Sequence, residues 1–233
     1  MFNPLAAKAV FDCFVHLSKP FTVVELGNQR FDAQGVADGL GLGKIKDTKD
    51  FYEKLGVEKY VALDLNSRMY AEPLDLNRNL MTEYKYHETF ALVTNNGTGE
   101  HIFNQLAVFE NIHNLCRQGG IMLHVLPMVP WLNHGLYNYT PVLFRDLAAA
   151  NNYHWSFLWI GDRFATPYVC DLVTTFKEKR PRELQAIVDK KYWTSDLSIV
   201  AALQKVDNQL FRIPLQGKYK QDVETPELKR RYL

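Results

Sequence analysis

Short apolar runs that stop at a glycine, an acid or an asparagine, and that alternate with stretches of helical periodicity, leave this chain few folds to choose from. Phe21 to Leu26 (FTVVEL) is β-branched and reaches Gly27; Tyr60 to Asp64 (YVALD) ends in an acid; Phe90 to Asn95 (FALVTN) meets the turn Asn96-Gly97-Thr98-Gly99. Ile121 to Leu126 (IMLHVL) is stopped by Pro127 and Pro130, and Trp155 to Ile160 and Ile199 to Val206 extend the series. Such runs suit strands buried on both faces. Between them apolar residues recur at helical spacing. Leu5, Ala6, Ala9, Val10, Cys13, Phe14 and Leu17 follow an Asn3-Pro4 start; Thr48 opens a short helix that Gly56 stops. Ile102, Phe103, Leu106, Phe109, Ile112 and Cys116 share a face before Gly119-Gly120, and Thr140-Pro141 opens a helix that reaches Asn151-Asn152. Strands separated by helices imply βαβ units, a mostly parallel sheet and helices on both of its faces. The expectation is one α/β domain over residues 1–233, with insertions at 33–47 and 161–195; within the second, Leu184, Ile187 and Val188 share one face of a helix over Pro181 to Asp189.

Composition narrows the function. Lys plus Arg total 27 against 26 for Asp plus Glu, so no field steers the chain to nucleic acid or an anionic membrane. No apolar run approaches the ~20 residues of a spanning helix. The N-terminus lacks a basic start followed by an apolar block, and Cys13, Cys116 and Cys170 are odd in number and in no C-x-x-C spacing. These features point to reduced thiols in a cytoplasmic protein. No H-E-x-x-H or other local ligand spacing occurs, so no metal is expected.

In open α/β sheets ligands bind outside the carboxyl ends of the strands. That directs attention to Glu25-Leu26-Gly27-Asn28-Gln29, to Asp64-Leu65-Asn66, to Asn95-Asn96-Gly97-Thr98 and to the loop after Leu126. The first of these turns has one glycine, so neither the G-x-G-x-x-G dinucleotide turn nor a phosphate loop is present. A nucleoside cofactor without phosphates needs less: one close backbone approach, and an acid such as Asp64 for the ribose hydroxyls.

The segments VVELGNQ, YVALDLN, FALVTNNGTGEHIFNQ, GGIMLHVLP and WLNHGLYNYTPVLFRDL together resemble class I S-adenosylmethionine-dependent methyltransferases, closest to a methyltransferase-like group of bacteria and phages. The resemblance covers roughly residues 5 to 160, with an echo at FRIPLQGKY. It implies a Rossmann-like seven-stranded mixed sheet of order 3-2-1-4-5-7-6, its seventh strand antiparallel. It also implies S-adenosylmethionine as cofactor and a small-molecule or sugar-like acceptor. Glu25 and Gly27 would then line the methionine side, with Asn28 and Gln29 in the same turn. Asp64 and Leu65 would meet the ribose, Asp75 the adenine, and Asn95 the end of the fourth strand. Each has a plainer reading: Glu25 bonded to a helix N-terminus or loop amide, Asp64 and Asp75 capping their own turns. Glu100-His101 and His134 follow strand ends on the ligand side, so His134 is the candidate base, His101 an orienting group and Glu100 the carboxylate that fixes an imidazole tautomer. His124, inside a strand, reads as a satisfied core histidine. The single-glycine turn, and the 37 positions between Gly27 and Asp64 where about 20 is customary, keep open a second reading: a non-catalytic module of the same fold. The 33–47 insert could then be a lid over the cofactor or a mark of a degenerate site. Nothing in the sequence fixes the oligomeric state.

Overall fold

The computed structural model describes residues 1–129, 131–165, 167–169 and 196–232. Its strands are β1 (Thr22–Leu26), β2 (Lys59–Asp64), β3 (Ala71–Pro73), β4 (Phe90–Asn96), β5 (Cys116–Val129), β6 (His154–Asp162), β7 (Pro167–Val169) and β8 (Leu197–Gln204). They hydrogen-bond in the order β3-β2-β1-β4-β5-β8-β6-β7. β1 to β5 are parallel, and β8 lies antiparallel between β5 and β6. Setting aside the three-residue edge strand β7 makes β8 the seventh strand and gives the order 3-2-1-4-5-7-6, as the resemblance implies.

Alternation along each strand splits the core in two. Val24 and Leu26 of β1, with Val93 of β4, enter the layer built with α4 (Leu80–Glu83), α5 (Gln105–Leu115) and α6 (Pro141–Ala150). Val23 and Leu92 enter the opposite layer, against α1 (Pro4–Phe14), α2 (Gln34–Gly39) and α3 (Thr48–Lys54). Glu25 shares the parity of Val23 and so points into this second layer.

The helix starts show which local signals held. Asn3 caps α1 by accepting the Ala6 N–H at 3.0 Å, with Pro4 at the first position. At α3 the cap is Asp47, which accepts the Asp50 N–H at 2.8 Å, rather than Thr48. The Thr48 hydroxyl instead donates to the Gln29 carbonyl at 2.8 Å, tying α3 to the turn after β1. α5 begins at Gln105, three residues later than the periodicity suggests, because Gly99–His101 forms a separate 3-10 turn and Asn104 provides the cap. Gly119 (φ +76) lies inside β5, where the register with β4 shifts between Phe90 and Leu92.

The insert at 33–47 is not a lid. It holds α2 and a loop gathered by Gln34, whose amide donates to the Gly43 carbonyl at 2.9 Å and accepts the Ile45 N–H at 3.0 Å. Ala33, Ala37 and Ile45 are buried against the α1 layer. The helix expected at 181–189, and Cys170, lie outside the described residues. Cys13 and Cys116 are free, buried thiols. His124 is not a satisfied core histidine: neither ring nitrogen has a partner among the described residues, Phe109 and Phe144 flank the ring, and burial depresses its pKa to about 3.

Candidate functional site

Two cavities adjoin at the carboxyl edge of β1, β2, β4 and β5. The first, of about 310 Å³, is floored by the turn after β1 and walled by the end of β2. Gly27 there has φ +80, and a Cβ on it would lie 2.5 Å from Thr98 Oγ1. The Thr98 hydroxyl donates to the Leu26 carbonyl at 2.7 Å and accepts from Gln29 Nε2 at 3.1 Å. The glycine is thus required twice, for its left-handed backbone and for the close approach of Thr98. Asn28 and Asp64 are joined directly: the Asn28 N–H donates to Asp64 Oδ2 at 2.9 Å. Asn66 Nδ2 donates to Asp64 Oδ1 at 2.7 Å. Asp64 is therefore held by two turns while its carboxylate still faces the cleft, beside the exposed Leu65 and the apolar Leu63, Leu74 and Leu76. Asp75 also lines it, and caps its own turn by accepting the Asn77 N–H at 2.9 Å.

Two of the expected cofactor residues do not reach this cleft. Glu25 is fully buried in the α1–α3 layer, where Tyr60 donates to Oε2 at 2.7 Å and Tyr52 to Oε1 at 3.5 Å. Burial pushes its carboxyl up to about 8, against the opposing effect of the hydroxyl donors. Asn95, also buried, accepts the Gly99 N–H at 2.8 Å and so shapes the loop after β4. Each lies within a strand covered on both faces, Glu25 on the parity of Val23 and Asn95 on that of Val93, and so is directed into one of the two core layers beneath the edge.

The second cavity, of about 560 Å³, opens beside the first, and Gly97 and His101 line both. Its wall carries Glu100, His134, Trp131, Asn96, Asp32 and Arg163. Glu100 is 1% exposed. Its Oε1 lies 3.2 Å from His134 Nε2 and 3.8 Å from His101 Nε2, while Oε2 has no partner among the described residues. The two imidazole rings meet edge to face at 4.9 Å, and Trp131 lies 4.7 Å from the His134 ring. Burial raises the Glu100 carboxyl above the usual carboxylate range, partly offset by its own backbone N–H and by the charge of His101. The three residues expected to act together are therefore brought together.

What joins them is a clamp between two loops. The Leu136 N–H donates to the Glu100 carbonyl at 2.8 Å, and Tyr139 OH donates to Gln105 Oε1 at 2.8 Å. Gln105 Nε2 in turn donates to the carbonyls of Gly99 (2.8 Å) and Ile102 (2.6 Å). Gly135 packs so tightly on Glu100 that a Cβ would lie 2.7 Å from its Cγ. Trp131 Nε1 anchors the far side to the Leu197 carbonyl at 2.8 Å. Gln105 carries no site signal of its own in the sequence, whereas Trp131 and Tyr139 bound an aromatic-rich stretch that reads either as core or as the lining of an apolar substrate pocket, with Gly135 inside it. The available signal was that the segments GT-x-EH…NQ and NHG-x-YN each carry one half of the clamp.

No protein-family model and no curated protein matches the sequence. Solved structures match by shape. One is the 1,6-didemethyltoxoflavin-N1-methyltransferase of Burkholderia thailandensis, bound to 1,6-didemethyltoxoflavin and S-adenosylhomocysteine, with TM-score 0.53 and 17% identity over 87% of this chain and 80% of that one. A second is an S-adenosylmethionine-dependent methyltransferase of Archaeoglobus fulgidus, with TM-score 0.50 and 10% identity over 85% and 93% of the two chains. A third is the complex of the Haloferax volcanii Trm112 activator with a methyltransferase, with TM-score 0.50 and 12% identity over 87% and 91%. The chain has the Rossmann-like fold of these methyltransferases.

Proposed function

We propose that this chain transfers a methyl group from S-adenosylmethionine to a small-molecule acceptor. The observation that carries the reading is the pair of adjoining cavities sharing Gly97 and His101 at the carboxyl edge, one presenting the acid that ends β2 and the other a Glu–His–His cluster. The residues of the first cavity suit a nucleoside: Asp64 has acceptor oxygens for ribose hydroxyls, and leucines on either side can cover an apolar base. S-adenosylmethionine supplies a methyl group already activated by its sulfonium. What is left to the protein is to hold the acceptor in line, to keep water out and to take up its proton. The second cavity is the place for that acceptor, with Glu100, His101 and His134 on the wall nearest the cleft. The methyltransferase of Burkholderia thailandensis, which holds its small molecule and S-adenosylhomocysteine together, lends the arrangement support as an analogue of fold.

Calorimetry with S-adenosylmethionine and S-adenosylhomocysteine tests the reading. A working site binds both, with dissociation constants below about 100 μM, near −5.5 kcal/mol. Asp64→Ala should weaken both by about one to two decades, the worth of charge-assisted hydrogen bonds. Equal affinity in wild type and variant removes Asp64 from the site. One feature favours the second reading, a non-catalytic module: Thr98 already fills the approach to Gly27, the only glycine in that turn. Absence of binding by either ligand would decide for the module.

A further inference from the structure

We propose that Glu100, His101 and His134 bind a first-row divalent transition cation on the wall of the second cavity, where His101 also borders the first. Their donor atoms, one carboxylate oxygen and two imidazole nitrogens, all lie within 4.8 Å of one another. Donors about 2.0–2.2 Å from a common cation are themselves about 3–3.5 Å apart. His134 Nε2 and Glu100 Oε1, at 3.2 Å, already satisfy that spacing. His101 Nε2, at 3.8 Å, needs a small rotation, which its half-exposed side chain allows.

The second observation is Glu100 itself. A carboxylate that is 1% exposed must be compensated, yet Oε2 has no hydrogen-bond partner among the described residues and Oε1 faces the two imidazoles. Arg163, on the same cavity wall, is not among the carboxylate's ion-pair partners. A cation between the three side chains would satisfy the buried charge and hold both rings in place. The clamp of Leu136 N–H on the Glu100 carbonyl, with Gly135 packed on Glu100, fixes the two loops in the relative position that the donors require.

Two imidazoles and one carboxylate suit Zn²⁺, Co²⁺, Mn²⁺ or Fe²⁺ and disfavour Mg²⁺ and Ca²⁺, which take oxygen ligands. Three protein ligands leave positions open, and the cavity lies on that side. An acceptor oxygen or nitrogen bound there would be polarised and oriented by the cation. That use rests on the methyl-transfer reading; cation binding itself does not.

The test is calorimetry with Zn²⁺, and visible absorption with Co²⁺, on full-length protein stripped by a chelator. The expected result is one equivalent bound, a Co²⁺ spectrum of nitrogen and oxygen ligation, and no competition from excess Mg²⁺. His101→Ala and His134→Ala should each weaken binding about tenfold or more, while His87→Ala, at an exposed loop histidine, should leave it unchanged. Circular dichroism confirms that each variant is folded; both substituted rings are partly exposed, so Glu100 need not be disturbed. Zn²⁺ should also raise the melting temperature of the wild type and not of the two variants. No stoichiometric binding, or binding that His134→Ala leaves intact, overturns the proposal and returns His134 to the role of a metal-free base held by Glu100. S-adenosylmethionine calorimetry on the same stripped protein separates the two readings, because cofactor binding fails or succeeds without reference to the cation.

Discussion

Two glutamates lie buried near the same sheet edge, and their surroundings could hardly differ more. Glu25 is enclosed by the hydroxyls of Tyr52 and Tyr60 within an apolar layer. Glu100, as deeply buried, borders a cavity and faces two imidazoles, with one oxygen left unpartnered. The tyrosine hydroxyls, the N-terminal ammonium and the Asn96 amide offset burial only in part, so the first carboxyl is best accommodated as an acid, pushed up to about 8. Burial raises the second as well, but it faces two imidazoles and keeps one oxygen without a partner among the described residues. Burial alone therefore does not set the character of an acid; the identity of the neighbours does.

The largest effect that would break this comparison concerns pH. Because the carboxyl of Glu25 is raised from 4.5 to about 8, the folded protein holds a proton that the unfolded chain releases above about pH 4.5. Stability must then fall as pH rises through that window, by on the order of 4 kcal/mol at pH 8 if the site does not rearrange. Glu25→Gln should abolish the loss, making the variant more stable than the wild type at pH 8 and nearly equal near pH 5. Urea unfolding at the two pH values measures it; a variant that is less stable at both would show that Glu25 is ionised and needed as such. Next in size is Glu100→Gln, which should lower Zn²⁺ affinity by about a hundredfold, whereas Glu25→Gln should leave it unchanged. Parallel calorimetry of the two variants gives the contrast directly. The smallest is Gly135→Ala: the added methyl meets Glu100 at 2.7 Å and should cost about 1–3 kcal/mol of stability. It should also weaken cation binding, although residue 135 contributes no ligand. If the melting temperature and the affinity are both unmoved, the loop is not seated on Glu100 as described.

Much of the architecture could be read from the strand-and-helix alternation, because β1, β2, β4 and β5 are apolar runs bounded by residues that end strands. β3 escaped notice: Ala71–Pro73 is three residues long, ends in proline and has no period. α2 escaped because it buries Ala37 alone. The site divides in the same way. Gly27, Asn28, Gln29, Asp64, Leu65 and Asp75 line the cleft, as the rule about strand ends suggests. Glu25 and Asn95 do not, since both stand within strands whose two faces are each covered by a core layer, so that either parity leads inward. The meeting of Glu100 with His134 bridges 34 positions, a long-range fact of how two loops dock, invisible to any test of local spacing. The expectation of no metal rested on that local test.

The clamp between the loops after β4 and β5 has a consequence for how such a protein can change. The separation of Glu100 from His134 is set by main-chain contacts, a glycine without room for a methyl, and the Gln105–Tyr139 bond. None of these involves the side chains of Arg163 or Phe164, which line the cavity and are exposed. Those positions can be exchanged, and the shape of the cavity can drift, while Glu100, His101 and His134 stay in register. Conversely, neither loop can be transplanted by itself: an ancestor or an engineer must move both halves of the joint at once.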